Sequence, residues 1–263
     1  MILTHRYQLD DCITLEKSGQ HIGKYSDLIL RSVFQPIFNN NGLLVGVEAF
    51  VRITTSSGTF INPFYFFNST DISYMDKLNV ERLSCILHIK NFAKSQDNKL
   101  KLFLNVLPLI NEYSTLIDIN SGVIFSYITE YELTYDQIII EIIESDCQSD
   151  VELHGAVGAL SRRGYHIAVD DFGSDSSNKQ RVELLKPDII KLDRSLLNLY
   201  SSGEKHKLLN GIELARSINA KIVVEGIETA QHLKAMKLLK ADMFQGYFLG
   251  LPKPAVRLSA QIA

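Results

Sequence analysis

Short apolar runs that each end in a polar residue recur along this chain, and helix-like segments lie between them. Such runs are typical of buried parallel strands, whereas apolar residues three or four positions apart predict helices. Six strands are predicted after residue 100: Lys101 to Val106, Ile138 to Ile143, His166 to Val169, Asp188 to Leu192, Lys221 to Gly226 and Met243 to Phe248. The predicted helices are Asp76 to Lys94, Val151 to Arg163, Leu208 to Ile218 and Gln231 to Leu239. This alternation indicates β-α-β units around a parallel sheet.

The earlier part of the chain contains two longer apolar segments, Arg31 to Phe38 and Leu43 to Ile53, separated by Asn39-Asn40-Asn41-Gly42. Asn-Gly between two strand-like runs is a strong turn signal, so these segments predict an antiparallel hairpin. With about eight strands and no linker, the predicted fold class is α/β, a TIM-type (β/α)8 barrel variant with an antiparallel first strand. We expect residues 31–263 to form the barrel and residues 1–30 an N-terminal extension with a helix packed on it.

Composition narrows the function classes. The chain of 263 residues has a net charge of −3 and no long Lys/Arg run, which argues against nucleic-acid polymers and anionic membranes. No apolar run reaches the ~18 residues that a membrane span needs, and charged residues interrupt the first apolar positions. The cysteines, Cys12, Cys85 and Cys147, are scattered, which predicts reduced thiols. We therefore expect a cytoplasmic protein.

Polar side chains mark the ends of the predicted strands, and in an α/β barrel these ends converge on one mouth. Glu48 lies inside an apolar run, where an unpaired carboxylate is costly. Asp170 and Asp171 are adjacent and repel each other unless a cation neutralises them. An acidic turn after the strand is the alternative for this pair. The residues expected at the mouth are Glu48, Asn105, Glu141, Asp170, Asp171, Lys191, Glu225 and Gln245.

This set is rich in oxygen donors, which suits Mg²⁺ or Mn²⁺ better than zinc. Two such ions can clamp the attacking and leaving oxygens of a phosphodiester. The histidines lack zinc-ligand spacing, and no Gly-rich phosphate loop or Ser-His-Asp arrangement stands out. The aromatic stretch from Phe60 to Phe67 could pack in the core, on a partner or on a substrate.

Glu48-Ala49-Phe50-Val51-Arg52 resembles the Glu-Ala-Leu-x-Arg signature of EAL domains, the bacterial cyclic-di-GMP phosphodiesterases. The resemblance runs from about residue 30 to 255 through further motifs in the family's order. These are Gln35-Pro36-Ile37, the Asn105 strand, Glu141 to Glu144, Asp170-Asp171-Phe172-Gly173, Lys191-Leu192-Asp193, Glu225-Gly226-Ile227-Glu228 and Gln245-Gly246-Tyr247. It implies metal-dependent hydrolysis of cyclic-di-GMP to linear pGpG, in the bacterial signalling that controls motility and biofilm formation.

The resemblance also implies metal ligands and catalytic residues. Two ions, Mg²⁺ or Mn²⁺, are expected. The implied ligands of the first ion are Glu48, Asn105, Glu141 and Asp170. Asp171 would help to hold the second ion, and both ions would share Asp170. Glu225 and Gln245 would complete the network around the second ion and the water. Lys191 would orient the attacking water. The implied catalytic residues are Lys191, Glu225 and Glu48.

The remaining implied roles concern binding. Arg52, Gln35 and Gln245 would contact cyclic-di-GMP, Arg52 as a charge-assisted donor to phosphate. Glu144 would steady the loop after the Asp-Asp pair. A homodimer and a regulatory protein partner are left open.

The chain departs from the family pattern at two places. Phe50 replaces the leucine of the signature, a mild apolar change. The loop after Gly173 reads Ser174-Asp175-Ser176-Ser177-Asn178-Lys179, where the family has Thr/Ser-Gly-Tyr-Ser-Ser-Leu. That loop positions second-metal ligands in the family and contributes to dimer contacts. The alternative function is therefore a catalytically weak or inactive cyclic-di-GMP receptor, or a protein-binding regulator.

Overall fold

The computed structural model describes residues 1–106, 114–143, 150–173 and 179–255. Its strands are β1 Ile13–Leu15, β2 His21–Tyr25, β3 Leu28–Asn39, β4 Leu44–Thr55, β5 Phe60–Ile61, β6 Lys101–Val106, β7 Ile138–Ile143, β8 His166–Phe172, β9 Ile189–Leu192, β10 Lys221–Val224 and β11 Met243–Phe244. Its helices are α1 Arg6–Asp11, α2 Pro63–Asn68, α3 Tyr74–Ala93, α4 Ser114–Ser121, α5 Val123–Glu130, α6 Asp150–Arg163, α7 Lys179–Leu185, α8 Arg194–Ser202, α9 His206–Ser217 and α10 Ala230–Leu238. A 3-10 turn covers Tyr135–Gln137.

Eight strands close into a barrel in the order β3, β4, β6, β7, β8, β9, β10 and β11, and β11 returns to β3. The first of them, β3, is antiparallel to both of its neighbours, β4 and β11. The other junctions of the barrel are parallel. This arrangement confirms the predicted barrel with an antiparallel first strand.

The N-terminal part forms more structure than the sequence predicts. The predicted helix exists as α1, and it buries Leu9 completely. The short strands β1 and β2 were not predicted; they extend the sheet because β2 pairs with the first residues of β3, with Gly23 opposite Leu30. Strand β3 begins at Leu28 rather than Arg31. The division into residues 1–30 and 31–263 stays a prediction.

An apolar layer fills the inside of the barrel below the mouth. Its buried members are Ile37, Phe103, Ile139, Ala168, Ile189 and Val223, contributed by six strands. Strand β4 contributes Gly46 at this level, where a Cβ atom would lie 2.8 Å from the Phe103 ring. Since strand side chains alternate, the residue two positions nearer the mouth points the same way. In each of these strands that residue is polar, so a polar layer stands directly on an apolar floor.

Two further expectations concern membrane-spanning helices and the cysteines. In the ranges that the structure covers, no helix combines the length and apolarity that a bilayer crossing requires. Cys12 and Cys85 are free thiols, and burial raises the pKa of Cys85. Cys147 lies outside the described residues.

Candidate metal centre and active site

Lys191 lies at the centre of the polar layer and is completely buried. Its Nζ atom is 2.7 Å from Glu141 Oε1, 2.8 Å from Asp170 Oδ1, 2.9 Å from Glu225 Oε1 and 3.0 Å from Glu48 Oε2. Glu48, Glu141 and Asp170 come from three different strands, and Glu225 directly follows a fourth, β10. The barrel therefore gathers predicted site residues that are far apart in the sequence around one ammonium group.

Glu48 is held by neutral donors as well as by the lysine. Asn105 Nδ2 donates to Oε1 at 2.8 Å, and Gln245 Nε2 donates to Oε2 at 2.8 Å. Gln245 Nε2 also donates to Gln35 Oε1 at 3.2 Å, and Gln35 Nε2 donates to the Gly250 carbonyl at 3.1 Å. This chain of amides fixes the orientation of Glu48. Gln35 and Gln245 are buried in it, and their contact with the dinucleotide stays a prediction.

Asp170 and Asp171 serve the same site although they are adjacent. In a regular strand they would face opposite sides of the sheet. Asp171 instead has a left-handed φ of 54°, and the β8–β9 pairing shifts register between Val169 and Phe172. Asp tolerates this conformation better than most residues. The irregularity brings oxygens of Asp170, Asp171 and Glu225 within 4.8 Å of one another.

The carboxylates of the site differ in the direction in which their pKa values are shifted. Burial opposes ionisation of Glu48, but the Lys191 charge and the hydrogen bonds from Asn105 and Gln245 outweigh it and lower the pKa of Glu48. Burial raises the pKa of Glu141 well above its usual value, and the Glu48 charge adds to this effect. Burial likewise raises the pKa of Glu225 despite Lys191. The ammonium of Lys191 therefore does not fully offset the cost of burying Glu141 and Glu225.

The pKa of Asp171 is raised as well. Burial and the adjacent Asp170 raise its pKa from 3.8 to about 6, while Lys191 opposes the shift and Asp193 and Glu48 add to it. Between these two values the folded state holds a proton that the unfolded chain has released, so the free energy of unfolding falls as pH rises.

We expect Asp171→Asn to be as stable as the parent near pH 4 and more stable above about pH 6, by about 1–3 kcal/mol in EDTA. Urea unfolding measured across this range would test the expectation. The control is Asp136→Asn. Hydrogen bonds from Thr134 and from Lys101 lower the pKa of that exposed carboxylate, which is the opposite direction to the shift of Asp171. A parent-minus-variant difference that does not change with pH would contradict the assignment.

The donor set fits a divalent cation. Oxygens of Glu48, Glu141 and Asp170 lie within 4.8 Å of one another, and all three residues are buried. Lys191 offers three N–H donors to four carboxylate oxygens, and it donates one of them to Glu48 Oε2 at 3.0 Å. Glu141 Oε2 is buried and accepts no hydrogen bond from any residue in the described ranges. Oxygen ligands of this kind suit Mg²⁺, Mn²⁺ or Ca²⁺.

Arg52 lies on the same face of β4 as Glu48, four residues nearer the mouth. It is half-buried, it donates to the Val51 carbonyl at 3.2 Å, and no described carboxylate forms an ion pair with it. Its guanidinium carbon is 5.9 Å from the centre of the Phe50 ring. From the sequence, Phe50 was treated only as a mild apolar change. Because residues 48, 50 and 52 of a strand face the same side, the sequence already places Phe50 between the acidic cluster and Arg52.

The barrel thus brings together the predicted residues from Gln35 to Gln245, with Arg52 at the rim. Their individual roles as ligands, catalysts and substrate contacts stay predictions. Glu144 and the loop of residues 174–178, both singled out from the sequence, lie outside the described residues.

The chain matches the EAL domain family over residues 27–252. It is 24% identical over 231 residues to the probable cyclic di-GMP phosphodiesterase PdeD of Escherichia coli K12, which covers 84% of this chain and 41% of PdeD. It is 29% identical over 228 residues to the EAL-domain protein YkuI of Bacillus subtilis 168, with 83% and 54% covered. The chain therefore spans about half the length, or less, of these relatives.

Two solved structures share the fold. B. subtilis YkuI in complex with cyclic-di-GMP and calcium has a TM-score of 0.74 at 27% identity, with 88% of this chain and 57% of that chain covered. The cyclic-di-GMP complex of the MucR phosphodiesterase from Pseudomonas aeruginosa has a TM-score of 0.75 at 24% identity, with 86% of this chain and 92% of that chain covered. At this identity the similarity supports the fold alone. With the family match extending over most of the chain, this protein belongs to the EAL domain family, which is related to the bacterial cyclic-di-GMP phosphodiesterases.

Proposed function

We propose that this protein hydrolyses cyclic-di-GMP to linear pGpG with the help of two divalent cations, Mg²⁺ or Mn²⁺. The observation that carries the proposal is the buried oxygen cluster of Glu48, Glu141 and Asp170 at the barrel mouth. Arg52 supports it, because a half-buried guanidinium that pairs with no carboxylate in the described ranges suits a phosphate. Membership of the EAL family supports the choice of substrate.

The two ions would share one carboxylate. Glu48, Asn105, Glu141 and Asp170 would hold the first ion. Asp170 and Asp171 would hold the second, with Glu225 and Gln245 beside it. Bound there, divalent cations supply neutralisation of phosphate charge and activation of water.

The side chains then have separate tasks in the reaction. Lys191 donates to the attacking water and orients it, and a carboxylate of the cluster accepts the proton that the water loses. The water oxygen forms a bond to one phosphorus, and the bond from that phosphorus to the ribose 3′ oxygen breaks. The 3′ oxygen leaves and takes up a proton from solvent water, which opens the ring to linear pGpG. Arg52 binds a phosphate oxygen and sets the register of the dinucleotide.

We expect Arg52→Ala to raise KM for cyclic-di-GMP about 10- to 100-fold and to change kcat little. A charge-assisted hydrogen bond is worth about 1.5–3 kcal/mol, and a contact made equally in the ground and transition states affects KM alone. Initial rates measured over a range of cyclic-di-GMP concentrations give both constants.

Arg31→Ala is the matched control for this experiment. Arg31 lies directly opposite Arg52 in the β3–β4 pairing, but its Nη2 atom donates to Glu16 Oε1 at 2.7 Å. Its guanidinium is thus already paired. Similar KM increases in both variants would indicate general charge attraction, and an unchanged KM in Arg52→Ala would remove Arg52 from the binding site.

A receptor that binds cyclic-di-GMP without hydrolysing it is the second candidate, favoured by the altered sequence after Gly173. Incubation of the purified protein with cyclic-di-GMP and Mg²⁺ or Mn²⁺, followed by chromatography, separates the candidates. Accumulating pGpG supports the enzyme. Binding measured by calorimetry without product supports the receptor. The absence of both would favour a protein-binding regulator.

A further inference from the structure

Four carboxylates share a single monovalent counter-ion in this barrel. Lys191 Nζ lies within 3.0 Å of oxygens from Glu48, Glu141, Asp170 and Glu225. The lysine side chain is completely buried, and so is that of Glu141. The ammonium group is thus the positive charge around which these carboxylates are assembled.

The same carboxylates form the candidate cation site. Glu48, Glu141 and Asp170 place oxygens within 4.8 Å of one another, and Asp170 with Glu225 and Asp171 does the same. A divalent cation takes six or more oxygen ligands at short distance, whereas the ammonium has only three hydrogens for its four oxygens. A cation bound by the first group would therefore draw on oxygens that now contact Lys191.

We propose that Lys191 is the resident counter-ion of the metal-free protein, and that a divalent cation binds by taking these oxygens from its ammonium group. The two cations compete for one carboxylate shell. This inference rests on the metal site of the proposed function and adds to it a role for Lys191 that precedes the reaction.

Competition follows from charge and from how the shell is supported. Two cations in one buried shell repel each other strongly, because screening is weak there. The shell does not depend on Lys191 alone, since Asn105 and Gln245 also hold Glu48. Removal of the ammonium should therefore leave a site that still accepts a divalent cation and binds it more tightly.

The test is Mn²⁺ binding by calorimetry to the full chain carrying Lys191→Met, a neutral side chain of similar length. We expect binding about tenfold tighter than in the parent, or more, within the range typical of coupling between two ligands. The matched control is Lys90→Met, because Lys90 is also buried but packs over the rings of Tyr127 and Tyr131. Equal tightening in the control would overturn the proposal, since it would reflect net charge alone.

Thermal unfolding supplies a second readout that does not depend on activity. In EDTA, Lys191→Met should melt below the parent, because the carboxylates lose their shared counter-ion. Mn²⁺ should then raise its Tm by more than it raises that of the parent. If Lys191→Met folds poorly, Lys191→Gln provides the second variant, and folding that occurs only with Mn²⁺ supports the proposal.

Several results would overturn the inference. Natively folded Lys191→Met and Lys191→Gln that bind Mn²⁺ as the parent does, or more weakly, would do so. Failure of both variants to fold even with Mn²⁺ would show that the ion cannot replace the ammonium. A parent protein that binds Mn²⁺ but does not open cyclic-di-GMP defeats the proposed function only, because competition is judged from Mn²⁺ binding and Tm.

Discussion

Glu48→Ala is expected to abolish detectable Mn²⁺ binding and to lower kcat/KM for cyclic-di-GMP by about a thousandfold or more. Glu48 is only 2% exposed, and Asn105, Gln245 and Lys191 all contact its oxygens. Its loss removes one charge from the cluster and leaves three donors without their acceptor. Divalent cations supply several kcal/mol of transition-state stabilisation, and each 1.4 kcal/mol is about tenfold in rate.

The measurement is calorimetric titration with Mn²⁺, combined with initial rates on the same sample. Glu48→Gln, which removes only the charge, should behave similarly. Glu81→Gln is the matched control, because Glu81 is buried as well but accepts from Thr115 Oγ1 at 2.9 Å, outside the cluster. Asp170→Ala should lose Mn²⁺ binding too, and unchanged affinity in that variant would contradict the ligand assignment.

Lys191→Ala is expected to lose about 10²- to 10⁴-fold in turnover while its affinity for cyclic-di-GMP stays near that of the parent. A lysine that orients the attacking water acts mainly in the transition state, so its loss lowers kcat more than ground-state binding. Single-turnover hydrolysis and nucleotide affinity, both measured on this variant with saturating Mn²⁺, separate the two quantities.

The alternative is a lysine that only balances the acidic mouth. Its removal would then raise the pKa values of the neighbouring carboxylates, and metal affinity would fall together with activity, which is the opposite of the tighter Mn²⁺ binding that competition between the two cations predicts. Lys90→Ala controls for the loss of a buried cation elsewhere, on helix α3. Normal turnover in Lys191→Ala would remove the lysine from the mechanism.

Much of the barrel could be predicted because its signals are local. Strands β6 and β7 have the bounds that their apolar runs predict, and the Asn-Gly turn predicts the β3–β4 hairpin. Strands β1 and β2 were missed because they are short, and because β1 pairs only with β2, which in turn pairs with β3. The stretch from Phe60 to Phe67 divides, since Phe66 is buried while Phe64 and Tyr65 are exposed.

The candidate site shows the same limit at the level of single residues. The prediction ended β8 at Val169, but the strand continues to Phe172 through the left-handed Asp171. No local pattern distinguishes that irregularity from an acidic turn after the strand. It arises where β8 and β9 shift register, which depends on how the two strands pack.

What the sequence by itself determined is the type of side chain at each level of each strand, because a period of two assigns residues to one face. The sequence therefore indicates an apolar residue and, two positions further on, a polar residue on the same face of β6, β7, β8, β9 and β10. Only the tertiary structure decided that Glu48, Glu141, Asp170 and Glu225 meet around Lys191, and that Gln35 and Gln245 support Glu48. The physical reason is that these contacts depend on the register between neighbouring strands and on closure of the sheet, which hydrogen bonds and packing between distant segments establish.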